Sequence, residues 1–86
     1  MATGDSFLTR VERRGKPVMF RVGRSALHME LSKRNASVAM LARATDRHVR
    51  GIMAMMQPGR LIGARVADDL LAGLKKLEQR NGRRPR

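Results

Sequence analysis

The stretch Ser37–Met56, SVAMLARATDRHVRGIMAMM, decides how this chain folds. Ser37 suits a helix N-cap, because its hydroxyl can accept from the open N–H groups of a first turn. From there Val38, Leu41, Ala42 and Thr45 fall at i, i+3, i+4 and i+7, a spacing that predicts a helix over Val38–Ala44. Thr45-Asp46 interrupts it, and either residue can cap a third helix that runs to Met56. In that helix the period places Val49, Ile52, Met53 and Met56 on one face. Arg47, Arg50, Gly51 and Ala54 fall on the other. Gln57-Pro58-Gly59 ends the run, since Pro58 disfavours helical backbone at the residue before it.

Working toward the N-terminus, Gly23-Arg24-Ser25 punctuates the chain, and Ser25 is the expected N-cap of a helix over Ala26–Arg34. Leu27 and Leu31, one turn apart, give that helix its buried edge, and Asn35 suits the residue that closes it. Before the punctuation the period changes. Val18, Phe20 and Val22 alternate with Met19 and Arg21, as a half-buried strand requires. Phe7–Glu12 and Pro17–Val22 flank Arg13-Arg14-Gly15-Lys16, where Gly15 can take positive φ, so a β-hairpin is expected over residues 7–22. Pro17 would start its strand, where a missing N–H is tolerated.

Toward the C-terminus a fourth helix is expected over Ile62–Leu77. Its apolar stripe comprises Ile62, Val66, Ala67, Leu70, Gly73, Leu74 and Leu77, with Leu71 at the edge, and Arg65, Asp68, Asp69, Lys75 and Lys76 cover its back. Residues 80–86 read as a flexible basic tail. The expectation is one domain over residues 1–86, mainly α, with an N-terminal β-hairpin followed by a four-helix core over residues 25–77.

Composition narrows the function. The chain has 86 residues with 19 Lys and Arg against 7 Asp and Glu, a net charge of +12. Between Arg43 and Arg65 five basic residues face one acid, Asp46. So much uncompensated charge on a small surface implies a polyanion to place on it. There are two Phe, no Trp or Tyr, and seven Met, so the core must come from aliphatic side chains and adaptable methionines. Small chains with soft cores gain stability by pairing. The broad stripe of the last helix, with Leu71 beside Leu74, therefore leads to the expectation of a homodimer.

Several chemistries lack a foothold. Without cysteine there is no disulfide, thiolate zinc site or thiol nucleophile. His28 and His48 have no carboxylate or thiolate partner at metal-ligand spacing. Ser25 near His28 suits capping, and the adjacent Asp68 and Asp69 diverge on a helix. Gly59-Arg60-Leu61-Ile62-Gly63 lacks the lysine of a phosphate-binding loop. No enzyme activity, cofactor or small-molecule ligand is expected. No apolar run approaches a membrane span, and no basic helix carries the Trp or Phe that would anchor it to a membrane surface. Asp5 and the lack of a following apolar segment argue against a signal peptide, so a cytoplasmic protein is expected.

The pattern Leu41-Ala42, with Ile52 eleven residues and Met55 fourteen residues after Leu41, resembles that of helix-turn-helix DNA-binding proteins, in particular small phage-repressor-like regulators. The likeness covers Ser37–Met56, and extends to Leu77 if the last helix packs behind the motif. The small Ala42 lets two helices cross closely, and the apolar positions weld them, which leaves the outer face of the second helix free for a major groove. The chain departs from the family at the turn, where Thr45-Asp46-Arg47 replaces the usual Gly with apolar neighbours. Gly51 also weakens the second helix by about 1 kcal/mol relative to Ala.

The resemblance implies a dimeric repressor that binds double-stranded DNA and sits with the nucleoid. Arg47 and Arg50 would read bases beside the small Gly51 and Ala54, and Gln57 would read an adenine or touch phosphate. Arg43, His48 and Arg60 would meet the backbone. Arg13, Arg14 and Lys16 in the hairpin turn, with Arg83, Arg84 and Arg86 in the tail, would act on phosphates alone. Three rivals fit parts of the sequence. A strand followed by two helices is also the order of ribbon-helix-helix proteins, with Met19 and Arg21 as readers. A basic RNA-binding, ribosome-associated protein would explain the charge, although the lack of aromatics argues against stacking on splayed bases. A basic inhibitor would need an acidic target.

Overall fold

The computed structural model describes residues 7–82, with side chains described through residue 79. Its elements run β1 Leu8–Val11, β2 Met19–Val22, α1 Arg24–Lys33, α2 Val38–Ala44, α3 Val49–Met55, β3 Ile62–Gly63 and α4 Ala64–Gly82. The expected hairpin forms, with Leu8 opposite Val22 and Val11 opposite Met19. Its turn closes by the Lys16 N–H donating to the Arg13 carbonyl at 3.1 Å, with Gly15 at φ 72°. Phe7 is buried, and its carbonyl accepts from Gly23 at 2.7 Å, which ties the base of the hairpin to the start of α1.

Two boundaries differ from expectation. Ile62 and Gly63 form a third strand that pairs antiparallel with β2, Phe20 opposite Ile62, and α4 begins only at Ala64. A strand of two residues carries no periodicity, so only the pairing reveals it. At the other end α4 continues past Leu77 to Gly82, so residues 80–82 belong to the helix rather than to a tail. Residues 83–86, with Arg83, Arg84 and Arg86, lie outside the described residues. Gly23, not Ser25, is the N-cap of α1, and no side chain caps that end.

The sheet order is β1-β2-β3, which makes β2 central. β1 pairs with all four of its residues, and on the other edge β3 pairs with Met19 and Phe20. A ribbon-helix-helix protein needs that edge free for the same strand of a second copy, so the alternative reading through Met19 and Arg21 would require β3 to leave Met19 and Phe20.

Phe7, Val22, Leu27, Leu31, Leu41, Ala42, Ile52, Met56, Ile62, Ala67, Leu70, Leu74 and Leu77 form one core. The stripe of α4 is spent on it: Leu70, Leu74 and Leu77 are buried, and Leu71 packs partly against the same cluster. Most of the stripe from which a homodimer is expected is therefore buried within the chain, and Leu71 stays half-buried at its edge.

Both short helices that follow the hairpin end in the same device. After α1, the Ala36 N–H donates to the Leu31 carbonyl at 2.9 Å and Asn35 to Ser32 at 3.0 Å, with Asn35 at φ 52°. After α2, the Arg47 N–H donates to the Ala42 carbonyl at 2.7 Å and Asp46 to Arg43 at 3.2 Å, with Asp46 at φ 58°. These are Schellman closures, in which one left-handed residue turns the chain sharply and satisfies the last carbonyls. Asn and Asp reach that conformation at less cost than bulkier side chains, because their short polar groups can bond locally.

Candidate nucleic-acid interface

The Asp46 turn positions the site. It reverses the chain within four residues, Thr45–His48, and sets α3 across α2 with Ile52 and Leu41 fully buried between them. The position where the resembled family places Gly is filled here by Asp46 in the conformation that Gly would adopt. Thr45 adds a second lock: its hydroxyl donates toward the Leu41 and Ala42 carbonyls at 2.9 and 3.1 Å. Ser37 caps α2 as the sequence predicts, its Oγ accepting from the Met40 N–H at 3.2 Å.

The face that α3 shows to solvent is rotated from the one the period suggests. Ile52 and Met56 are buried and Met55 is half-buried, whereas Val49 and Met53 are 39% and 49% exposed. Arg50 and Gln57 are exposed beside them, and Gly51 and Ala54 are half-buried on the flanks. The outward surface is therefore His48, Val49, Arg50, Met53 and Gln57, a mixture of charge, amide and apolar groups. The assignment of Val49 and Met53 to the buried face is incorrect because α3 starts only at Val49, after the turn, and its neighbours cover a narrow strip of it centred on Ile52.

Arg47 stands apart from the other expected readers. It precedes α3, is half-buried, and its Nη2 donates to Asp69 Oδ2 of α4 at 2.7 Å. Its Nε is buried without a hydrogen-bond partner. This arginine joins the turn to α4 and is occupied with that contact. The expectation that Arg47 lies on the outward face of α3 next to Arg50 is not met.

The remaining candidates divide by location. Arg43 is exposed near the end of α2, in a shallow groove with Met40, Ala44, Lys76 and Leu77, where Lys76 Nζ donates to the Ala44 carbonyl at 3.4 Å. His48 is the exposed N-cap residue of α3, and Arg60 is exposed in the loop before β3. Arg13, Arg14 and Lys16 are exposed at the hairpin tip. Arg24 was missed by sequence reasoning. It lies at the start of α1, and with His28 it shares a recess with Val38, Met53, Met56, Gln57 and Pro58. Nothing local marks it, since residues of α1, α2, α3 and the loop after it, distant in sequence, line that recess together.

The acids leave these cations alone. Glu12 pairs with Arg10, Glu30 with Lys33 and Arg34, Glu78 with Arg34, and Asp69 with Arg47. Among the described residues Arg24, Arg43, Arg50 and Arg60 have no ion-pair partner. The described residues contain no group of three or more His, Asp or Glu side chains placed to hold a metal ion, and no helix long and apolar enough to cross a membrane. Comparison with known proteins returns no match to any family model, curated protein or solved structure.

Proposed function

We propose that the chain is a double-stranded DNA-binding protein, a small transcriptional repressor whose α2–turn–α3 unit acts as a helix-turn-helix with α3 in the major groove. One observation carries this reading: Arg50 is exposed on the outward face of α3 and has no ion-pair partner among the described residues, and Arg24, likewise without an ion-pair partner among them, lines a recess with Met53 and Gln57 of that face. A polyanion is the partner that offsets such a patch, and a helix held outward by a tight turn matches the width of a major groove. Arg50 reads bases, Gln57 stands at the far end of the same face, and His48, Arg43, Arg24 and Arg60 reach phosphates. Arg13, Arg14 and Lys16 at the hairpin tip add a second phosphate contact. Arg47 acts through Asp69, holding the angle between α3 and α4. A second copy, if the operator is two-fold symmetric, meets the chain at a surface other than the buried stripe of α4.

The test is selection of duplexes from a random DNA pool by the full chain, followed by titration of the selected duplex, a random duplex and duplex RNA. Arg50→Ala should weaken binding to the selected duplex by about 1–3 kcal/mol and change binding to random DNA far less. Failure to enrich any sequence, or equal binding of duplex RNA, overturns the reading.

A further inference from the structure

Of the large hydrophobic side chains, Met29, Val49 and Met53 are the exposed ones among the described residues, and two of the three lie on α3. Single exposed apolar residues are ordinary on protein surfaces. Val49 and Met53 differ because they are one helical turn apart, on the stripe that also carries Arg50 and Gln57. The core does not need them, since Ile52 and Met56 fill the space beneath α3. Met53 also borders the recess it shares with Arg24, His28 and Gln57, so the apolar strip has cations on both sides.

The major groove presents one apolar feature, the C5-methyl group of thymine, and aliphatic side chains recognise it by contact. A flexible thioether adapts to a methyl group whose position shifts with local groove geometry. We infer that Val49 and Met53 cover thymine methyl groups next to the base contacted by Arg50, so that the preferred site contains thymine opposite α3. The inference rests on the DNA-binding reading and adds to it the chemistry that is recognised. The charge beside the strip favours a nucleic acid over a protein as occupant, because a protein partner would have to supply acids for Arg24 and Arg50 as well as an apolar contact.

The probe is the duplex selected from the random pool, prepared once with thymine and once with deoxyuridine at every thymine position, which removes the methyl groups and keeps every hydrogen-bonding group. The full chain should bind the deoxyuridine duplex about fourfold more weakly for each methyl group covered. Met53→Ala should lower affinity for the thymine duplex and reduce the difference between the two duplexes, and Val49→Ala combined with it should abolish the difference. Circular dichroism should match the parent chain, since both residues are exposed. Equal binding of the two duplexes by a chain that still prefers the selected sequence overturns the inference and leaves the DNA-binding reading standing. A deoxyuridine effect that survives undiminished in the double variant also overturns it. So does a drop in sedimentation mass on Met53→Ala with the thymine preference intact, which would assign the strip to a contact between copies. Absence of any sequence preference instead defeats the underlying reading.

Discussion

Gly73→Ala tests how tightly the motif is held against α4. Gly73 lies within α4, where Ala would ordinarily stabilise a helix by about 1 kcal/mol. Here a Cβ would stand 2.6 Å from Thr45 Cγ2 and 3.0 Å from Leu41 Cδ1. Neither neighbour can give easily. Leu41 is fully buried, and Thr45 keeps its rotamer through hydroxyl bonds of 2.9 and 3.1 Å to Leu41 and Ala42. Turning the Thr45 methyl away would forfeit a hydrogen bond, a loss of about 1 kcal/mol. Overpacking toward the upper end of about 1–3 kcal/mol outweighs the gain in propensity, leaving a net destabilisation of about 1–2 kcal/mol. Urea denaturation followed by circular dichroism measures it, with the midpoint falling and the slope unchanged. Thr45→Ser removes the obstructing methyl and retains the hydroxyl, so Gly73→Ala should be close to neutral in that background, a coupling of about 1–2 kcal/mol. If Gly73→Ala stabilises the parent chain, or costs the same with Ser at position 45, then α2 and α4 do not approach as closely as these distances require.

Three further outcomes rest on particular residues. Asp46→Gly should be neutral or slightly stabilising, whereas Asp46→Val should lose about 1–2 kcal/mol in the same denaturation assay, because a β-branched residue resists the left-handed turn. Replacing Arg13, Arg14 and Lys16 together by Ala should lower the slope of log affinity against log salt by roughly 0.9 for each phosphate no longer neutralised, with the preference for the selected duplex retained. A changed preference would move base reading to the hairpin. Glu30 is buried and its Oε1 accepts from Arg34 at 2.9 Å, so Glu30→Ala should destabilise toward the low end of about 3–5 kcal/mol, the range for stranding a buried charge. Glu78, 3.5 Å from Arg34, moderates the loss, and Glu30→Ala/Glu78→Ala should be worse than the single variant.

The local elements are written in the sequence. Amphipathic period, the Ser37 cap and the breaks at Gly23 and Pro58 act over a few residues, so the hairpin, α1, α2 and most of α3 and α4 can be read from the chain within a few positions. The basic surface is legible for the same reason, because charge is a property of composition. What remains depends on how distant segments meet. The pairing of Ile62 and Gly63 with β2 joins parts of the chain separated by three helices, and it has no periodic trace. That pairing occupies the second edge of β2 at Met19 and Phe20. The inward turn of Leu70, Leu74 and Leu77 depends on α2 meeting α4 at Gly73, and it leaves Leu71 as the half-buried edge of the stripe from which a dimer is inferred. Arg47 looks like Arg50 in sequence until Asp69, 22 residues away, claims its guanidinium. Which side of α3 faces solvent is settled by its neighbours, since a helix of seven residues carries too little periodicity to fix its own rotation to better than one residue's turn. That rotation places Met53 and Val49 outside, and α1 carries Arg24 to their side.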